Sequence, residues 1–89
     1  MKRADLLKTA ESYVCGPREE TYGSPTENFA RIARMWSTYL NADIAPTDVA
    51  CMMMLLKMSR LRATPNHNDS WIDIAGYAAC GSEISDSQM

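Results

Sequence analysis

The sequence has one histidine, His67, and three cysteines, Cys15, Cys51 and Cys80, no two of them in CxxC spacing. Zinc is not expected, because the ligands would have to be gathered singly from distant parts of the chain. The three cysteines read as thiols of a reducing compartment, with Cys51 and Cys80 serving as small packing residues. No run of Lys or Arg exceeds two and the formal net charge is −2, which excludes a duplex nucleic-acid binder that works by neutralising phosphates. The longest apolar run stops at Lys57, far short of the ~20 residues needed to span a bilayer. The N-terminal MKRADLLKTAESY scatters charges among its apolar residues and lacks a signal-peptide core, so a cytoplasmic location is expected. Strand-like alternation, internal repeats and low-complexity tracts are missing as well.

What is present points to one small all-α domain, residues 1–89, with 46% hydrophobic and 22% charged residues. The stretch Asp48–Leu61, DVACMMMLLKMSRL, is apolar at nearly every position up to Met58 and carries Lys57 and Arg60 near its end. A helix that is oily all round has no solvent face and needs cover on every side. A chain of 89 residues builds little core for that purpose, so a homo-oligomeric interface is expected to complete the bundle. Met52, Met53, Met54 and Met58 lie in this stretch, flexible fillers of the kind used where helices meet across a subunit boundary.

Four helices fit the punctuation, over residues 1–14, 24–40, 46–62 and 68–84. The first sets Leu6, Leu7, Ala10, Tyr13 and Val14 on one stripe and stops at Gly16-Pro17, where the loop GPREETYG follows. Ser24, Pro25 and Glu27 form an S-x-x-E start for the second, whose stripe is Phe29, Ile32, Ala33, Trp36 and Leu40. The third opens at Pro46, and Pro65 ends any continuation. Asn68 or Asp69 is the expected cap of the fourth, with Trp71, Ile74, Ala75 and Ala78 as its core stripe.

Polar groups converge in three places. Lys57 and Arg60 share a helix face, and a compact ammonium beside a planar guanidinium suits phosphate. Asp69 and Asp73 project from one face of the fourth helix, a line that Gly76 and Cys80 continue. Such a pair suits Mg²⁺ with bridging phosphates, but Asp69 equally favours a helix N-terminus and Asp73 equally pairs with Lys57 or Arg60. In the loop, Tyr22 either stacks on a base or packs over the start of the second helix, and Arg18 is placed to reach a phosphate. Asn28 reads a base edge or a ribose hydroxyl, or simply faces solvent; His67 has no evident partner.

The order REETYGSPTENFARIARMWSTYL, DVACMMMLLKMSRL and DSWIDIAGYAACGSE resembles a family of small all-α phage and prophage proteins. Their shared pattern is R-x-x-x-Y-G, N-F-x-x-I-A-x-x-W, K-x-x-R-L and D-S-W-x-D-I-A-G-Y. More remotely, the layout is similar to MazG-like all-α nucleoside triphosphate pyrophosphohydrolases, which implies a compact four-helix MazG-like bundle. In those enzymes an E-E-x-x-E helix and an E-x-x-D helix hold Mg²⁺. Here Asp69 to Asp73 falls at the second acidic motif, with Ser70 where a glutamate is expected, and Tyr77 lies at a position often held by an aromatic. The third helix departs from that pattern, offering Met and Leu and then Lys57 and Arg60 in place of carboxylates.

The residues point to a small phosphorylated ligand, a nucleotide or a nucleotide-derived signal, held in an oligomeric helical pocket, and the resemblance to phage proteins implies that the signal is one of host antiviral defence. Such anti-defence sequestration needs no cofactor, and its ligand-binding residues would be Arg18, Tyr22, Asn28, Lys57, Arg60, Asp73 and Tyr77. One alternative is a Mg²⁺-dependent nucleoside triphosphate pyrophosphohydrolase with Asp69, Asp73 and Glu27 as metal ligands. Another is a helical protein-interaction module that uses the Met-rich face.

Overall fold

The computed structural model describes residues 1–87, without the side chains of residues 18, 19 and 22. The described residues are all-α: four long helices, α1 (Arg3–Cys15), α3 (Pro25–Leu40), α4 (Pro46–Ala63) and α5 (Asn68–Ser87), and one short helix, α2 (Pro17–Tyr22). The long helices fall close to the expected spans. Helix α2 is the departure, lying where a loop is expected. Pro17 occupies its first position, where a missing N–H costs nothing, and Gly23 ends it with a φ of +84°, a conformation that favours glycine.

Local chemistry sets the helix ends. The Glu27 amide donates to Ser24 Oγ at 3.2 Å, and Pro25 sits at the first position of α3. Asn41 closes α3 in the left-handed region, and the Ser37 hydroxyl ties the following chain back by accepting from Ile44 N–H at 3.0 Å. At the start of α4 the Ala45 N–H donates to the Asp48 carboxylate at 2.9 Å. Neither Asn68 nor Asp69 caps α5; both lie within its first turn, and the entry is organised by His67. The His67 carbonyl accepts from Ser70 N–H at 3.1 Å, while His67 Nδ1 and Ser70 Oγ form a hydrogen-bonded pair at 2.8 Å. His67 thus has a partner that the sequence does not disclose.

Helix α5, not the uniformly apolar α4, is the hub. It packs against α1, α3 and α4, and buries Ser70, Ile72, Gly76, Cys80 and Ile84. The expected stripe of Trp71, Ile74, Ala75 and Ala78 is therefore rotated out: Trp71 and Ala78 are exposed, and Ile74 and Ala75 are half-buried. The cause is the small size of the residues on the true inner line. A Cβ on Gly76 would meet Val14 Cγ1 at 3.0 Å, and one on Gly81 would meet Ala50 Cβ at 3.1 Å, so α1 and α4 approach α5 more closely than larger side chains permit. Trp71 instead ties down the α4–α5 turn, its indole N–H donating to the Pro65 carbonyl at 2.8 Å.

The core gathers Phe29 and Ala33 of α3, Val49 and Ala50 of α4, and Cys80 and Ile84 of α5. Ile32, Trp36, Val14 and Tyr77 pack around it, half-buried. Leu40, Leu7 and Tyr13, placed on core stripes by their spacing, are exposed. Helix α4 buries only Val49, Ala50 and Leu61. Its Leu55 and Met58 are 62% and 54% exposed, so within one chain the cover that an all-round apolar helix calls for is lacking on one side.

Candidate functional site

Helices α1, α3 and α5 line a cavity of about 510 Å³. Three aromatic rings line it: Tyr13 from α1, Phe29 from α3 and Tyr77 from α5. Phe29 and Tyr77 are tilted at 50° with ring centroids 6.3 Å apart, an edge-leaning contact. Ala10, Val14, Ile72 and Gly76 supply apolar wall, and among the described residues Ser12 and Asp73 are the lining side chains with oxygen besides the tyrosines. The Ser12 hydroxyl already donates to the Thr9 carbonyl at 2.7 Å. Among the described lining residues Asp73 is thus the one carboxylate in a wall of rings and hydrocarbon.

Its setting follows from the antiparallel α4–α5 pair, joined by the short turn after Ala63, which brings Lys57 opposite Asp73. Lys57 Nζ and Asp73 Oδ2 are 2.8 Å apart, with the two side chains 14% and 31% exposed. Lysine so far buried needs a counter-charge, and removal of either partner would strand the other in a poorly solvated place. The pairing also has a chemical consequence for the cavity. It gives the ammonium a counter-charge, while the carboxylate keeps acceptor capacity for further N–H or O–H donors.

Among the described residues, Asp73 and Tyr77 are the sequence-nominated ones that line the cavity, with Lys57 joined to it through the ion pair. Arg60 is exposed on α4 and absent from the lining, so it does not stand with Lys57 as a two-cation clamp there. Asn28 is half-buried on α3, its Oδ1 accepting from Arg31 at 3.5 Å. Glu27 and Asp69 are exposed in the first turns of α3 and α5. Among the described residues no three His, Cys, Asp or Glu side chains come together as a metal-sized group. The side chains of Arg18 and Tyr22 lie outside the described residues.

The cavity also uses residues that sequence reasoning places elsewhere. Tyr13, Val14 and Phe29 read as core by their spacing, and Ile72 falls off the expected stripe of α5. The signal that points to them is the line Asp73, Gly76, Cys80: an interior glycine costs about 1 kcal/mol in a helix and so marks a close approach. Ser70, where the pyrophosphohydrolase pattern has a glutamate, is fully buried and engaged with His67, which makes it part of the helix entry.

Comparison with known proteins places this chain among phage proteins. A family described as "Domain of unknown function (DUF6378)" matches residues 5–85. Two relatives are similar to it. The Gene 55 protein of Mycobacterium phage D29 is 43% identical over 79 residues, covering 89% of this chain and 52% of that protein. The Gene 55 protein of Mycobacterium phage L5 is 45% identical over 74 residues, covering 82% of this chain and 47% of that protein. The chain thus spans about half the length of the curated relatives it matches. No solved structure matches.

Proposed function

This chain belongs to the DUF6378 family, and from that premise we infer that it is a ligand-holding helical domain of a phage protein, taking a nucleotide or nucleotide-derived signal by its base. The observation that carries this reading is the carboxylate of Asp73 set among Tyr13, Phe29 and Tyr77 in a cavity of about 510 Å³. Small-molecule sites have this form, mostly apolar and aromatic with a few placed polar groups, at volumes of roughly 300–1,000 Å³. A flat base with an exocyclic amine matches both parts, stacking on a ring and donating to the carboxylate. Because Lys57 is already engaged by Asp73, phosphates contribute less to affinity than the base does. Holding is favoured over cutting, since hydrolysis of a triphosphate draws on several gathered carboxylates, and Glu27 and Asp69 lie apart from the cavity lining. For a phage, holding such a molecule would serve to sequester a signal of host defence.

The test is calorimetric titration with nucleosides, nucleotides and cyclic nucleotides. Binding of an amino-bearing base, with nucleoside and nucleotide within about ten-fold of each other and loss of at least ten-fold in Asp73→Asn, supports the reading; one charge-assisted hydrogen bond is worth roughly that much. No binding by any of them at ~1 mM, an affinity of about 4 kcal/mol, removes it. Release of pyrophosphate from nucleoside triphosphates, abolished in the same variant, would replace it with the MazG-like hydrolase.

A further inference from the structure

The open side of α4 goes beyond the cavity reading and does not depend on it, since no α4 residue lines the cavity. Asp48, Leu55 and Arg62 are seven residues apart and therefore lie on one line along the helix, and all three are exposed. Met52 and Cys51 flank the line on one side of Leu55, and Met58 and Ser59 on the other; all four are exposed as well. Within α4, Lys57 is the only charged residue between Asp48 and Arg60, and it turns inward to Asp73. The exposed stripe is thus apolar in the middle, negative at one end and positive at the other.

That stripe is self-complementary about Leu55. We propose that its occupant is a second copy of this chain, the two α4 helices crossing antiparallel on a two-fold axis at Leu55. In this register Leu55 meets its own symmetry mate, Met52 faces Met58, and Asp48 of each copy faces Arg62 of the other. A two-fold interface must be self-complementary, and a stripe with opposite charges at equal distances from a greasy centre meets that demand. A parallel arrangement would set Asp48 against Asp48 and Arg62 against Arg62. The antiparallel one also opposes the two helix dipoles. Flexible methionines around the axis let the two surfaces adapt to each other.

The experiment is sedimentation equilibrium on the wild-type chain and four variants, each checked for helicity. Wild type is expected to be a dimer. Leu55→Glu, at an exposed position that leaves the single-chain fold intact, should weaken dimerisation by at least about 30-fold, as loss of a central interface contact does. Asp48→Arg and Arg62→Asp should each weaken it by roughly five-fold, the scale of a rim ion pair, and the double reversal should restore wild-type affinity. Asp48→Arg also removes the bond to Ala45, a loss within the monomer that Arg62→Asp cannot repair, so recovery in the double variant reports the cross-copy pairing alone. A wild type that stays monomeric up to ~1 mM, a dimer unaffected by Leu55→Glu, or a double reversal weaker than either single change would each overturn the proposal. Failure here leaves base binding in the cavity standing, and loss of base binding leaves the dimer standing.

Discussion

Helices α4 and α5 lie side by side and teach opposite lessons about apolar sequence. Helix α4 is apolar on every side yet buries three residues. Helix α5 is sprinkled with Ser, Gly, Ala and Asp, yet it touches every other long helix and buries five. Burial follows how close neighbours can come, not how oily a residue is. Gly76 and Gly81 let α1 and α4 close to van der Waals distance, so α5 becomes the axis of the fold. The surplus hydrophobicity of α4 is not spent inside the chain. It remains on the surface.

Truncation should separate the two helices most sharply. Ile84→Ala on α5, at a fully buried position, should cost about 3 kcal/mol by leaving a cavity. Leu55→Ala on α4 should cost under about 0.5 kcal/mol in dilute monomer. Chemical denaturation of both variants checks this, and equal losses would break the contrast. Gly76→Val comes next: its added branches have no room beside Val14, and overpacking of this kind should cost about 2 kcal/mol. The same variant should lose base binding, because Gly76 also lines the cavity.

Smaller effects sharpen the seam between the helices. Lys57→Ala should lower stability by about 1 kcal/mol, a figure discounted for the partial exposure of the pair. Thermal melts should show much of that loss recovered when Asp73→Leu is added, because the stranded carboxylate is then gone. Trp71→Phe keeps the ring but removes the 2.8 Å bond to Pro65, for an expected loss of about 0.5–1 kcal/mol in the same melts.

The legible parts of the fold were those decided locally. Ser24, Pro25 and Glu27 announce the start of α3, and Phe29, Ile32, Ala33 and Trp36 give its inner face, because a cap and a stripe depend on neighbours within a few turns. The inner face of α5 was not legible. Periodicity ranks Trp71 and Ile74 above Gly76 and Cys80, and the preference for the small residues arises only when α1 and α4 arrive. For α4 no face could be chosen at all, since a helix without a polar side has no orientation of its own. At the site, Asp73 was visible from the line it shares with Gly76, and Tyr77 through the resemblance to the pyrophosphohydrolases. The partner of Asp73 was narrowed to Lys57 or Arg60, and the crossing of α4 over α5 selects Lys57. Tyr13 and Phe29 were hidden because a ring facing a cavity and a ring facing a core leave the same trace in sequence.

Helix α1 closes one wall of the cavity but fully buries only Ala10, fewer residues than any other long helix. Regions with few buried contacts open at lower free energy than the body they rest on. A guest that bridges Tyr13 and Asp73 would act as a clasp between this N-terminal segment and α5. Amide exchange along α1 would slow in step with occupancy while the α4–α5 seam kept its own pace.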